Sequence, residues 1–257
     1  MRLIDNSATS PVILHAPHGS RVIPESERAA FVIDDAELEA ELDRMTDTAT
    51  DLMVEEVARA TGASAVINEL SRFVIDVERF PDESEEMNTV GMGVLYTHGS
   101  AGQLIRQLSR ADHARLLPEF HRYSQALSDL VDRTLEFHGR AIILDVHSYP
   151  TVALPYELHA NERRPELCVG WESFHAAPEL LEHVAEAFAD FDRADNEPFH
   201  GSYVPLKHYG IDARVQSVML EIRRDSYMDE STMAIDSTDL NRLQDATSTL
   251  VRAIGSR

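Results

Sequence analysis

The sequence predicts an α/β fold with a mostly parallel central sheet covered by helices on both faces. Three observations predict it. Short apolar runs alternate with amphipathic helical stretches, no repeat or Gly/Ser-rich linker divides the chain, and 257 residues suffice for one large core. Residues 1–257 are therefore read as a single domain.

The first strand is expected at residues 12–14, ending in the turn-rich His15-Ala16-Pro17-His18-Gly19-Ser20. From Asp35, the residues Leu38, Leu42, Met45, Ala49 and Leu52 recur at helical spacing, but the apolar stripe then drifts toward Val54 and Val57. A break near Thr46-Asp47 explains the drift. Residues 65–68 and 73–77 read as extended, and 81–102 as a polar, Gly-punctuated stretch. Residues 103–138 are rich in helix formers and stop at Gly139. Next, Ala141-Ile142-Ile143-Leu144-Asp145-Val146 is the strongest candidate for a central strand, and it delivers His147-Ser148-Tyr149-Pro150 at its carboxyl end. A helix over 178–189, a strand over 216–222 and a closing helix over 240–254 complete the pattern.

Composition narrows the function classes. Hydrophobic residues at 43% and charged residues at 26% are ordinary for a globular protein. The balance of 23 Lys+Arg against 45 Asp+Glu gives a net charge of −22, which repels nucleic acid and anionic membrane and argues against both as partners. Lys207 is the only lysine. Cys168 is the only cysteine, so an intrachain disulfide and a thiolate-rich metal site are excluded. Met1 to Pro11 lacks the basic start and apolar run of a secretory signal, and no apolar stretch approaches membrane-spanning length. A cytoplasmic protein is expected.

In open α/β sheets, functional groups gather at the carboxyl ends of strands. His18, Asp76 to Arg79, His147 and Glu221 all fall at or near such ends. His113, His121, His138 and His183 fall in helices and read as structural. His147 directly follows an apolar strand, and Asp145, two positions back, points to the same side and is placed to receive the imidazole's second N–H. His18 follows the first strand beside Gly19, and His15 competes with it at a spacing of three; the residues alone do not choose between them. A hydrolytic zinc site takes three ligands from His and carboxylate and leaves one position for water. Two strand-end histidines therefore call for a third ligand and a base, and carboxylates are too abundant for composition to pick either.

The set Pro17-His18-Gly19-Ser20, Thr46-Asp47, Ser71-Arg72 with Asp76-Val77-Glu78-Arg79, Asp145-Val146-His147-Ser148, Gly201-Ser202-Tyr203, His208-Tyr209-Gly210 and Met219-Leu220-Glu221 with Tyr227-Met228-Asp229-Glu230 resembles the N-formylglutamate amidohydrolase family, in order, from about residue 10 to 230. That family is similar to zinc carboxypeptidases and aspartoacylases. The resemblance implies a three-layer α/β/α sandwich around a mixed, mostly parallel sheet, and hydrolysis of an N-formyl or other N-acyl amino acid, with N-formyl-L-glutamate as the namesake substrate. It implies one zinc ion, or another divalent metal, held by His18 and His147. Glu221 would be the general base, and Arg79 the arginine that grips a substrate carboxylate. Asp76 and Asp145 would support the ligands from behind.

Two positions depart from the pattern. The relatives take a second ligand from a His-x-x-Glu, but position 21 is Arg, so the third ligand is assigned to Asp47 from the Thr-Asp pair. The competing reading makes Asp43, Asp47 and Asp51 one solvated helix face. Glu78 stands where the motif usually has Asn, and its carboxylate would repel an anionic substrate unless Arg72 or Arg79 neutralises it. A chain of net charge −22 needs a focused positive site to bind a small acidic N-acyl amino acid. Arg72 and Arg79 are the expected clamps, with Lys207, His208 and Arg224 also assigned to substrate binding.

The expected chemistry is acyl transfer to water, with Glu221 moving the proton and Arg72 helping to hold the oxyanion. A serine hydrolase using Ser20 or Ser148 is disfavoured because no Gly-x-Ser-x-Gly elbow occurs. A zinc carboxypeptidase-like peptidase and a non-catalytic binding module that retains the fold are the alternatives.

Overall fold

The computed structural model describes residues 1–157 and 160–256. Its strands are β1 (Arg2–Ile4), β2 (Val12–Ala16), β3 (Ser64–Ile67), β4 (Ala141–Tyr149), β5 (Leu167–Gly170), β6 (Arg193–Asp195), β7 (Val215–Arg223), β8 (Met228–Asp229) and β9 (Ala234–Ile235). Its α-helices are α1 (Glu25–Arg28), α2 (Asp35–Met45), α3 (Thr50–Thr61), α4 (Arg110–His138), α5 (Pro178–Ala187) and α6 (Ser237–Gly255).

Strands β1 to β7 form one sheet in the order β1-β3-β2-β4-β7-β5-β6. The pairs β3–β2, β2–β4, β4–β7 and β5–β6 are parallel, while β1–β3 and β5–β7 are antiparallel. Every residue of β2, β3 and β4 is buried, the mark of a sheet covered on both faces, and this is why these segments read as apolar runs rather than as alternation. Alternate side chains serve opposite layers. Val12 and Leu14, Ile142 and Leu144, and Val218 and Leu220 pack in one cluster with residues of α3, α5 and α6. Ile13, Ile143 and Val215 face the other way, against Leu116, Phe120, Leu127 and Leu130 of α4. The expected three-layer sandwich with a mixed, mostly parallel sheet is what the chain adopts.

Helix starts are encoded locally. Asp34 caps α2 and Ser109 caps α4, each in a reciprocal capping box with Glu37 and Asp112, an arrangement that contributes about 1 kcal/mol per helix. The cap at Ser109 also corrects the expectation that helix begins near residue 103. Residues 103–109 precede α4, and Leu104 and Arg106 make isolated bridges to His98 and Phe31 instead. The drift of the apolar stripe after Met45 does mark a break, since α2 ends there and α3 starts at Thr50.

Residues 73–77 are not a strand. The backbone N–H groups of Val74 and Ile75 donate to the Ser71 carbonyl at 2.8 and 3.2 Å, forming a turn. Phe73, Val74, Ile75 and Val77 are buried because that turn is packed into the core, so burial mimicked a strand. Strand β4 runs three residues past Val146 to Tyr149, so His147 lies inside a paired strand rather than after it, just as Glu221 lies inside β7, which runs to Arg223. Strands β1, β5 and β6, of three or four residues each, were not anticipated. Among the described residues no helix is long and apolar enough to cross a membrane.

Candidate metal centre and its cavity

The loop after β2 carries His18, and the break between α2 and α3 carries Asp47. Gly19 lets the two approach: a Cβ there would lie 2.8 Å from the backbone nitrogen of Asp51 and from Thr50 Oγ1. The break is held open by Ala49 in a left-handed conformation, φ 64°, which is costly for a residue with a Cβ. Thr50 donates from Oγ1 to the Asp47 carbonyl at 2.8 Å, and the Asp47 N–H donates to the His18 carbonyl at 3.1 Å. Asp47 is thereby buried and does not belong to a solvated helix face.

His18, Asp47 and His147 converge, with all three buried. The Nδ1 atoms of His18 and His147 lie 3.3 Å apart, and Asp47 Oδ2 is 3.0 Å from the first of His147's ring nitrogens and 3.7 Å from Nδ1 of His18. The Nε2 of His18 contacts Asp76 Oδ1 at 2.9 Å, which assigns its proton to Nε2 and leaves the lone pair on Nδ1. His147 Nε2 lies 3.1 Å from Asp145 Oδ1 and 3.2 Å from Glu78 Oε2, although neither contact has hydrogen-bond geometry. With that proton facing two carboxylates, its Nδ1 also presents a lone pair. With both rings neutral and their protons on Nε2, two Nδ1 lone pairs and a carboxylate face one another, and this donor set fits a divalent cation such as zinc.

The electrostatics agree. Burial alone would raise the pKa of Asp47, yet the His147 and His18 imidazoles hold it well below the carboxylate range. Burial likewise opposes ionisation of Asp76, and His18, Arg79 and Arg72 overcome it. Burial would make His147 less basic, but Glu78 and Asp145 raise its pKa well above the usual value. The site is thus a pocket of negative potential in which either a proton or a metal ion is stabilised.

His15 is settled by its contacts. It lies in β2 with no exposure, its Nδ1 is 2.9 Å from Asp145 Oδ1, and its Nε2 is 2.7 Å from Tyr123 Oη. Its pKa is raised to about 9, because Asp145 and Glu78 outweigh the effect of burial. His15, Glu78 and Asp145 are close enough to form a ligand set of their own, but both His15 nitrogens are already engaged, by Asp145 and by Tyr123.

Glu221 stands opposite His147 in the β4–β7 register. Its Oε2 is buried without a hydrogen-bond partner, and burial raises its pKa to about 8 against the opposing charge of His147. Both residues face a cavity of about 310 Å³ whose lining also includes Arg44, Arg72, Arg79 and Arg224. Arg72 donates to Asp76 Oδ2 at 3.0 Å, and Arg79 donates to the Tyr96 hydroxyl at 3.2 Å. Arg79 Nε also lies 3.4 Å from Asp76 Oδ2, so both guanidinium groups are anchored on that carboxylate while facing the cavity.

Arg224 lines the same cavity but donates from Nη1 to the carbonyls of Asp43 and Arg44, 3.1 and 2.9 Å away at the end of α2. Lys207 and His208 are not brought to this cavity: both pair with Asp132, His208 at 3.1 Å, and Lys207 is largely exposed. Sequence reasoning missed Tyr96, which donates to Asp76 Oδ2 at 2.9 Å, and Tyr227, which donates to the Thr48 carbonyl at 2.7 Å. Tyr96 carries no local signal, whereas Tyr227 falls inside a quoted motif and was given no role.

A family model described as N-formylglutamate amidohydrolase matches residues 10–228. An N-formylglutamate deformylase of Pseudomonas putida is 27% identical over 235 residues, spanning 86% of this chain and 83% of that protein. Another, of Pseudomonas aeruginosa, is 26% identical over 262 aligned positions, spanning 95% and 91%. The crystal structure of N-formylglutamate amidohydrolase from Ralstonia eutropha JMP134 aligns with a TM-score of 0.83 at 22% identity, covering 98% of this chain and 96% of that one. At that identity the likeness concerns the fold.

Proposed function

The chain belongs to the N-formylglutamate amidohydrolase family, and we propose that it hydrolyses the amide of an N-formyl dicarboxylic amino acid, N-formyl-L-glutamate foremost, to formate and the free amino acid. One divalent ion, zinc by the match of two imidazoles and a carboxylate, would be held by His18, His147 and Asp47. The single observation that carries the reading is this convergence, with Glu221 on the rung beside His147.

Bound there, the ion would supply Lewis acidity toward the amide carbonyl and acidify the attacking water. The rest falls to the chain. Glu221 accepts the proton of the attacking water and returns it to the departing nitrogen. A carboxyl with a pKa raised to about 8 by burial suits both halves of that transfer near neutral pH. Arg72, buried beside Asp47 and Asp76, faces the charge that develops on the carbonyl oxygen, and Arg79, which lines the same cavity, receives a substrate carboxylate. Asp76 fixes the orientation and tautomer of His18. Arg44, Arg72, Arg79 and Arg224 offset the cavity's own carboxylates (Asp47, Glu78, Glu86, Glu157 and Glu221), which would otherwise add to a net charge of −22 in repelling a dianion.

The experiment is formate release from a panel of N-formyl amino acids and blocked peptides, before and after chelation. Release from N-formyl-L-glutamate that chelation abolishes and zinc restores is expected. Turnover of blocked peptides instead would favour a carboxypeptidase-like activity, and no turnover of either would favour a binding module.

A further inference from the structure

The loop that follows β4 contributes a wall to the cavity of the candidate centre, and two ties hold it. At its start, the Thr151 N–H donates to Glu230 Oε1 at 2.9 Å, and the Pro150 carbonyl accepts from Arg164 Nε and Nη2 at 3.1 and 2.6 Å. Farther along, Glu157 accepts from the Leu154 N–H at 2.7 Å and from Arg164 Nη1 at 2.6 Å. One guanidinium therefore fastens both parts of the loop, and the Glu157 carboxylate is taken up by that tie. Tyr156, the residue before it, lines the cavity together with Arg72 and Arg79.

Packing fixes the Tyr156 ring and leaves its hydroxyl unmatched. The half-buried ring sits against the cluster that contains Leu42, Met45, Met87 and Tyr96. Among the described residues its hydroxyl makes no hydrogen bond. Other tyrosines are engaged: Tyr96 donates to Asp76, Tyr149 to the Pro165 carbonyl, Tyr209 to Glu172 and Tyr227 to the Thr48 carbonyl, while Tyr123 meets His15. A polar group withdrawn from water without a partner calls for one, and the cavity is where a ligand can supply it. Burial raises the Tyr156 pKa above its ordinary value although the Arg72 charge opposes the shift, so the phenol stays protonated and is a donor.

We propose that Tyr156 is a substrate-binding residue, its hydroxyl donating to the side-chain carboxylate of the N-formyl dicarboxylic amino acid beside Arg79. The inference rests on the amide-hydrolase reading and adds a contact that sets its preference for an acidic side chain. Arg79 supplies charge, but its guanidinium is anchored on Asp76 and Tyr96. The phenol adds a directed hydrogen bond from another wall of the same cavity. A site built to pair its donor with a substrate group rejects the analogue that lacks the group, because the donor is then left desolvated and unpaired. An apolar side chain of equal length is disfavoured on that ground.

The test is Tyr156→Phe, which keeps the packed ring and removes only the hydroxyl. Calorimetry on zinc-loaded Glu221→Gln, with and without Tyr156→Phe, reads binding independently of chemistry. The ligands are N-formyl-L-glutamate and N-formyl-L-norvaline, in which a methyl group replaces the side-chain carboxylate. Loss of the hydroxyl should weaken N-formyl-L-glutamate by about tenfold or more, as for a hydrogen bond to a charged group, and leave N-formyl-L-norvaline within about twofold. With Glu221 intact, Tyr156→Phe should raise KM for N-formyl-L-glutamate by a similar factor with little change in kcat. Zinc content and melting temperature should match the parent's. Unchanged binding of N-formyl-L-glutamate, equal losses for the two ligands, or a fall in kcat at constant KM would overturn the assignment. Selective loss of N-formyl-L-glutamate binding, in a protein whose parent releases no formate, would instead refute the amide-hydrolase reading and leave the Tyr156 contact standing.

Discussion

The backbone N–H of Asp47 donates to the carbonyl oxygen of His18 across 3.1 Å, joining two candidate ligands through the main chain before any ion binds. The segment that carries Asp47 is also latched from the far side. Arg224 holds the carbonyls of Asp43 and Arg44, and Tyr227 holds that of Thr48. Both side chains come from the turn that follows Glu221 along the chain, so ligand loop and base strand are fastened to each other.

This latch yields the first prediction. Arg224→Ala should weaken zinc binding about tenfold and lower the melting temperature, since hydrogen bonds from a charged donor contribute about 1.5–3 kcal/mol. Arg224→Lys should recover part of both. Competition with a chelating dye measures the affinity, and an unchanged zinc affinity in Arg224→Ala would remove the latch from the account.

Glu221→Gln should retain zinc and lower kcat by about 10²–10⁴, the usual worth of a general base. The glutamine preserves size at a half-buried position. Full turnover with normal zinc content would contradict the role of Glu221.

Asp76→Asn keeps the shape beside His18 Nε2 but removes the charge that orients it. Zinc affinity should drop about 10–100-fold, the range for partners of metal-bound histidines. Equilibrium dialysis reads it, and an affinity equal to the parent's would mean that Asp76 serves the arginines alone.

Arg79→Ala should raise KM for N-formyl-L-glutamate about 10–100-fold, with a smaller effect on a substrate lacking the side-chain carboxylate. Steady-state kinetics on the two substrates makes the comparison. Equal losses on both would place Arg79 in the framework around Asp76 and Tyr96.

His15 predicts a pH dependence of stability. Its folded pKa, about 9, lies above its ordinary 6.5 because Asp145 and Glu78 favour the charged ring despite burial. The stabilisation is therefore complete below about pH 6.5 and is lost as pH rises through 9, amounting to about 3 kcal/mol. Melting temperature measured over that window should fall more steeply in the parent than in His15→Gln. Parallel slopes would show that His15 is not the group responsible.

Much of this was legible because the relevant signals are local. The stripe of α2 drifted at the break that frees Asp47, and an apolar run led straight to His147. His15 and His18 could not be separated, since only the positions of Tyr123 and Asp145 show that both ring nitrogens of His15 are engaged. The turn at 73–77 was taken for a strand because burial, not pairing, set its composition. Short strands such as β5 and β6 carry too few residues to show a period, and their order in the sheet follows from long-range packing. Lys207 and His208 illustrate the same limit from the other side: their charge suited an acidic substrate, but the fold placed both against Asp132.

The most direct test is the zinc content of the dialysed protein, measured by elemental analysis, for the parent chain and for a chain carrying both His18→Ala and His147→Ala. One zinc per parent chain and less than about a tenth of that in the double variant is the predicted result, by the loss of two of three ligands. Stoichiometric zinc in the folded double variant, or none in the parent, would contradict a centre built on these imidazoles.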